Sequence, residues 1–204
     1  MKNLFFSLMI ITLSISCVKA QNDFRRHEFN LGVGIFSTGN IVYGFADMFV
    51  QSITQAVGSG VEFSNKTASP VFHLGYKYGF SSRFTLGATL AAGVENSDFT
   101  QKGPDGTLFD TGKMNRFIGT LAPEITFNYL NANRFKLYGL AGAGCSYYRM
   151  NAKYDHADDK SSGKFLFDFQ LTPLGFKFGN TFGGFAEVGF GYKGIICVGL
   201  FTKL

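Results

Sequence analysis

The chain has 204 residues, with 25 Phe, 26 Gly, no Trp and a net charge of +5. That length suits one domain, and the mean hydropathy is slightly positive at +0.09. No basic run is interleaved with aromatics in the way nucleic-acid binding requires, and no phosphate loop, zinc-ligand spacing or nucleophile elbow occurs.

Residues 1–20 read as a secretory signal peptide. Lys2 supplies a short basic region, an apolar run covers 4–15, and Val18-Lys19-Ala20 offers a cleavage site after Ala20. The rival is lipoprotein processing at Cys17, but Ser14 stands where that motif places Leu or Val. Residues 21–204 are then the mature domain, with 17 basic and 14 acidic residues once Lys2 and Lys19 are gone. Its two cysteines, Cys145 and Cys197, lie in predicted strands far apart and read as small apolar residues. No later apolar run reaches about 18 residues, so no helix is expected to span a membrane. An exported, greasy chain of this kind is either a soluble domain with a large core or a closed membrane barrel, because backbone groups in lipid must pair internally.

The first expected strand is 28–36, where Phe29, Leu31, Val33 and Ile35 alternate with Asn30, Gly32 and Gly34. The connection 37–69 follows. Within it Ile41, Phe45, Met48, Phe49, Ile53 and Ala56 recur at helical spacing over 41–57, with Thr38 or Asn40 as cap and 58–69 as loop. Strands two and three make a hairpin over 70–94 that turns at Ser81-Ser82. In strand three Phe84, Leu86, Ala88, Leu90, Ala92 and Val94 oppose Thr85, Gly87, Thr89, Ala91 and Gly93. No charge lies between Arg83 and Glu95, so the large face reads as lipid-facing and the small one as lumenal. A polar loop is expected at 96–113. Strand four is 115–129, with Pro123 marking a bulge or a break in the ladder. Strand five is 134–149, its faces blurred by Gly139, Gly142 and Gly144. After a loop at 151–163, strand six is 164–178, interrupted by Pro173. Strand seven is 181–192, with Phe182, Ala186, Val188, Phe190 and Tyr192 opposite Glu187, Gly189 and Gly191; strand eight is 195–202.

The first, third and fifth connections are long and the second, fourth and sixth short; the seventh is short as well. ANRFKL at 132–137 echoes SSRFTL at 81–86, and aromatics bracket each short turn: Phe80 and Phe84, Tyr129 and Phe135, Phe178 and Phe182. With the leader, these features resemble the small eight-stranded outer-membrane barrels typified by the membrane domain of outer membrane protein A. The final strand, GIICVGLFTKL, departs from that family's usual Phe ending with Leu204. The resemblance implies an all-β, eight-stranded antiparallel up-and-down transmembrane barrel, to which the chain's own spacing adds one short amphipathic helix in the first long loop. It further implies a bacterial outer-membrane location, contact with outer-membrane lipid, passage through the barrel-assembly machinery and a monomeric state. It transfers function poorly.

A barrel of this size is filled by its own side chains. The expected lumenal polar set is His73, Lys77, Glu124, Asp168, Gln170 and Glu187, with Lys77 paired to Glu124 or Glu187. Lipid-hydrolysing barrels carry a His and a Ser two residues apart on one strand; here Gly75 stands two residues after His73, so His73 reads as structural. Asp155–Asp159 with His156 offers cation ligands at no recognised spacing, and reads as a solvated loop. The Ile41, Phe45, Met48, Phe49 and Ile53 stripe reads as a helix packed on the barrel's own rim, with an interfacial helix on the outer leaflet or a partner-docking surface as the alternatives. No catalytic, cofactor or metal site and no nucleic-acid partner is expected. The favoured role is structural or surface-interacting with a plugged lumen. A small-ligand binding or transport barrel comes next, then a lipid-modifying enzyme.

Overall fold

The computed structural model describes residues 27–56, 60–103, 105, 107–132, 134–156 and 158–204. The leader and Cys17 lie outside the described residues. Nine strands and one helix follow in chain order: β1 His27–Ile35, α1 Thr38–Ala56, β2 Gly60–Ala68, β3 Val71–Gly79, β4 Phe84–Lys102, β5 Leu108–Asn131, β6 Phe135–Tyr154, β7 Lys160–Gly179, β8 Phe182–Gly191 and β9 Ile196–Lys203.

Eight of the strands close an antiparallel ring in the order β1-β3-β4-β5-β6-β7-β8-β9 and back to β1. Closure satisfies the strand edges around the common height of the ring, which an open sheet cannot do, while β2 and the upper part of β7 rise above it with one neighbour each. The ninth strand, β2, pairs with the far half of β4, from Gly60↔Lys102 to Ala68↔Glu95, while β3 pairs with the near half. The two are one wall interrupted at Ser69-Pro70. Pro70 has no N–H to give the ladder. Ser69 mends the gap: its amide donates to the Val94 carbonyl at 2.8 Å, and its hydroxyl accepts the Val94 amide at 3.0 Å.

Several expected boundaries are corrected. The supposed loop 58–69 contains β2, and much of 96–113 and 151–163 is strand, continuing β4, β5, β6 and β7 past their apolar stretches. The barrel wall is therefore tall along β2, β4, β5, β6 and β7 and low along β8, β9 and β1. Pro123 interrupts the pairing with β6 without shifting its register, so it is a gap and no bulge. Near Pro173 the register against β8 does shift, between Leu171 and Leu174.

Period 2 sorts the faces. On β4, Leu90 is 56% exposed outward and its neighbour Thr89 is 1% exposed inward. Phe29, Leu31, Phe72, Leu74, Leu121, Phe167, Leu171 and Val198 are likewise exposed outward, so the ring wears an apolar belt. Polar residues fill the inside, among them Glu28, Lys77, Thr126, Glu124, Gln170 and Thr172. This is the reverse of a soluble domain.

Tyr192, expected outside with Phe190, is 3% exposed and lies inside. The cause is the turn after β8. Gly191 (φ +146°) and Gly194 (φ +117°) take conformations that a side chain resists, and they let the turn tuck into the lumen. Tyr192 and Lys193 go in with it.

Candidate functional site: the plugged lumen

The interior is built in tiers. At the short-turn end Lys177 on β7 pairs with Glu28 on β1, and its ammonium lies 5.0 Å from the Tyr138 ring centroid. At mid-barrel Lys193 sits between two carboxylates, 3.2 Å from Glu124 and 2.8 Å from Glu187. Lys77 lies 3.6 Å from Glu124. The Tyr192 hydroxyl donates to Glu124 at 2.6 Å, and the Tyr138 hydroxyl donates to Glu187 at 2.7 Å. Buried charge is tolerated only when paired and further hydrogen-bonded, and each of these carboxylates is both. Gln170 accepts the Lys193 amide at 2.9 Å, which ties the inturned loop to β7.

Above this tier Asp168 accepts hydroxyl protons from Ser146 at 2.8 Å and Thr38 at 3.0 Å. Thr38 opens α1, so the helix begins inside the barrel mouth. Ser37, rather than Thr38 or Asn40, caps it: its hydroxyl accepts the Asn40 amide at 3.4 Å and donates to the Asn40 side chain at 2.6 Å. Gly39 lets the first turn press against the wall, because a Cβ there would lie 2.1 Å from Ile118. The cavity between this turn, Asp168 and Tyr192 measures about 10 Å³, about the least that admits one water.

At the mouth Arg116 on β5 binds Asp47 of the helix and, at 2.8 Å, Glu95 of β4. Lys66 of β2 reaches Asp47 at 2.8 Å, and the Arg116 guanidinium lies 4.6 Å from the Tyr43 ring centroid. Burial pushes the Tyr43 phenol above its ordinary range against the pull of Arg116. The helix therefore turns its polar side to the wall. Phe45, Met48, Phe49 and Ile53 are exposed and Ile41 is half-buried, so the apolar stripe faces away from the barrel instead of packing on its rim. Replacing Asp47 with Ala is expected to destabilise the docked helix by about 1–3 kcal/mol, because Arg116 loses one of two acceptors. Limited proteolysis of the folded barrel reads this as faster cleavage within residues 38–56.

The residues expected in the lumen are all buried there, but not as one network. Lys77 and Glu124 share the central tier with Glu187, while Asp168 belongs to the helix-docking tier. His73 is 2% exposed, packs at 6.0 Å from the Phe185 ring, and neither of its ring nitrogens has a hydrogen-bond partner. Sequence reasoning missed Lys193, Tyr192, Tyr138, Arg116 and Asp47. Asp47 did carry a signal, as the sole charge in the helical stretch. In the loop beyond, Asp155 accepts from Thr111, His156 contacts Asp110 at 3.4 Å, and no metal-ligand cluster occurs among the described residues.

No protein family and no curated protein matches the sequence. Among solved structures the chain is similar to Ail, the attachment invasion locus protein of Yersinia pestis, in complex with the heparin analogue sucrose octasulfate. The identity is 13%, over 87% of this chain and 95% of that one, at a TM-score of 0.40.

Proposed function

We propose that the protein is an integral outer-membrane β-barrel with a plugged lumen, and that its role is structural or surface-interacting rather than catalytic. The observation that carries this is the inverted burial: a closed ring exposes a continuous apolar belt and buries paired charges within. The basic and apolar N-terminal stretch supports export. Short turns at one end and tall strands at the other orient the barrel, with short turns in the periplasm and α1 outside. The aromatics Phe84, Phe127, Tyr129, Phe135, Phe178 and Phe182 then ring the periplasmic interface. The last strand, β9, closes the ring on β1, and its engagement by the assembly machinery belongs to the same proposal.

Fractionation of cells tests the placement: the protein is expected in the outer membrane, with folded and boiled forms migrating differently on gels. Planar bilayers test the plug. No steady conductance is expected; large stable single-channel currents would replace this reading with a transport barrel. Turnover of lipid A or phospholipid that disappears with His73→Ala would replace it with an enzyme.

A further inference from the structure

We infer that the tall side of the barrel carries a seat for a phosphorylated glycolipid of the outer leaflet. A groove of about 530 Å³ opens on the outer wall, within the range of small-molecule sites. Strand register explains it. One outward row runs Phe72, Ala92, Gly119, Tyr147 and Phe165 across five strands, and Cys145 lies in the row beneath. Three small residues, Ala92, Gly119 and Cys145, form a floor between aromatic walls, a shape that receives an acyl chain.

The same face turns cationic just above. Arg149 stands opposite Phe117 in the next outward row, and Lys113 stands directly opposite Lys153 two rows further up. All three cations are exposed. Like charges facing each other across a sheet repel, and a bound anion relieves this. Asp98 flanks Lys113 on the β4 side but is engaged by the Asn65 amide at 2.8 Å. Among the described residues neither Lys113 nor Lys153 has an ion-pair partner. Asn96, Asn115 and Asn151 fill the row between, adding neutral donors and acceptors. Lys153 is four residues from Arg149, or about 13 Å along the strand. Two cationic points so spaced suit a headgroup with phosphates at both ends of a disaccharide better than the single phosphate of a glycerophospholipid. The occupant is therefore of the lipid A type, held by charge complementarity above and by the groove below.

The inference rests on the outer-membrane placement. Its test is native mass spectrometry of the full-length protein extracted from outer membranes in mild detergent, with lipid A and phosphatidylglycerol as competing probes. Wild type is expected to retain one lipid A in preference to phosphatidylglycerol. The triple variant Lys113→Gln/Arg149→Gln/Lys153→Gln is expected to lose that retention by about tenfold or more. Gly119→Leu, which fills the floor and leaves the charges, is expected to weaken it as well, with folding of each variant checked by heat-modifiable migration. Equal retention by wild type and the folded variants overturns the seat, as does equal preference for phosphatidylglycerol. A barrel recovered folded from the outer membrane without lipid A refutes the seat and leaves the placement standing. A protein absent from that membrane refutes both.

Discussion

Lys193→Met is expected to destabilise the barrel by about 3–5 kcal/mol, because removing one partner of a buried ion pair leaves the other charge uncompensated. Here one ammonium serves two carboxylates whose side chains are 0% and 3% exposed. Lys77 would still face Glu124 at 3.6 Å, so Glu187 is the group that bears most of the cost, keeping the Tyr138 hydroxyl as a donor. Urea unfolding in detergent micelles measures the loss. The double variant Glu187→Gln/Lys193→Met removes one charge of each sign and keeps the Lys77–Glu124 pair. It is expected to recover most of the stability, since a neutral replacement of a buried pair is often neutral or stabilising. A single variant as stable as wild type would mean that water reaches this tier and that the lumen is not sealed.

Lys193 also shows where reading the chain alone stops. Alternation assigns faces within strands, but Lys193 stands in a turn, and only the conformations of Gly191 and Gly194 send that turn inward. The faces of β1 and β4 were legible because an apolar outer surface and a crowded polar lumen impose opposite chemistries on successive residues. That contrast ends at the top of the apolar belt while the hydrogen-bonded ladder continues. Above it, β2 and the upper halves of β4 to β7 present polar residues on both faces, and GVEFSNKTA therefore reads as loop. The ladder itself leaves no mark in side-chain pattern. The helix was legible for the opposite reason, since its apolar spacing is strong. Its orientation was not, because packing against a charged wall inverts the usual rule: Asp47 goes in and Phe45, Phe49 and Ile53 stay out.

The belt itself is tested at Leu90. This residue lies outward on β4 between Leu74 of β3 and Leu121 of β5, well above the Phe84 end and below Val94. Leu90→Arg is expected to cost about 2–4 kcal/mol if the position meets the bilayer midplane, whereas the same change near an interface costs about 0–1 kcal/mol. Asn96→Arg, three outward positions further up β4, supplies the interfacial comparison in one strand with one side-chain chemistry. Thr89→Arg carries charge and bulk into a fully packed lumen, so its cost comes from overpacking, of order 1–3 kcal/mol or more. The two losses separate by environment. The Leu90→Arg penalty should fall in thinner bilayers, where the guanidinium reaches headgroups sooner, while the Thr89→Arg penalty should not change with thickness. If Leu90 accepts Arg freely and Asn96 does not, the apolar belt is not the lipid contact, and the inside-out burial of this barrel needs a different surrounding.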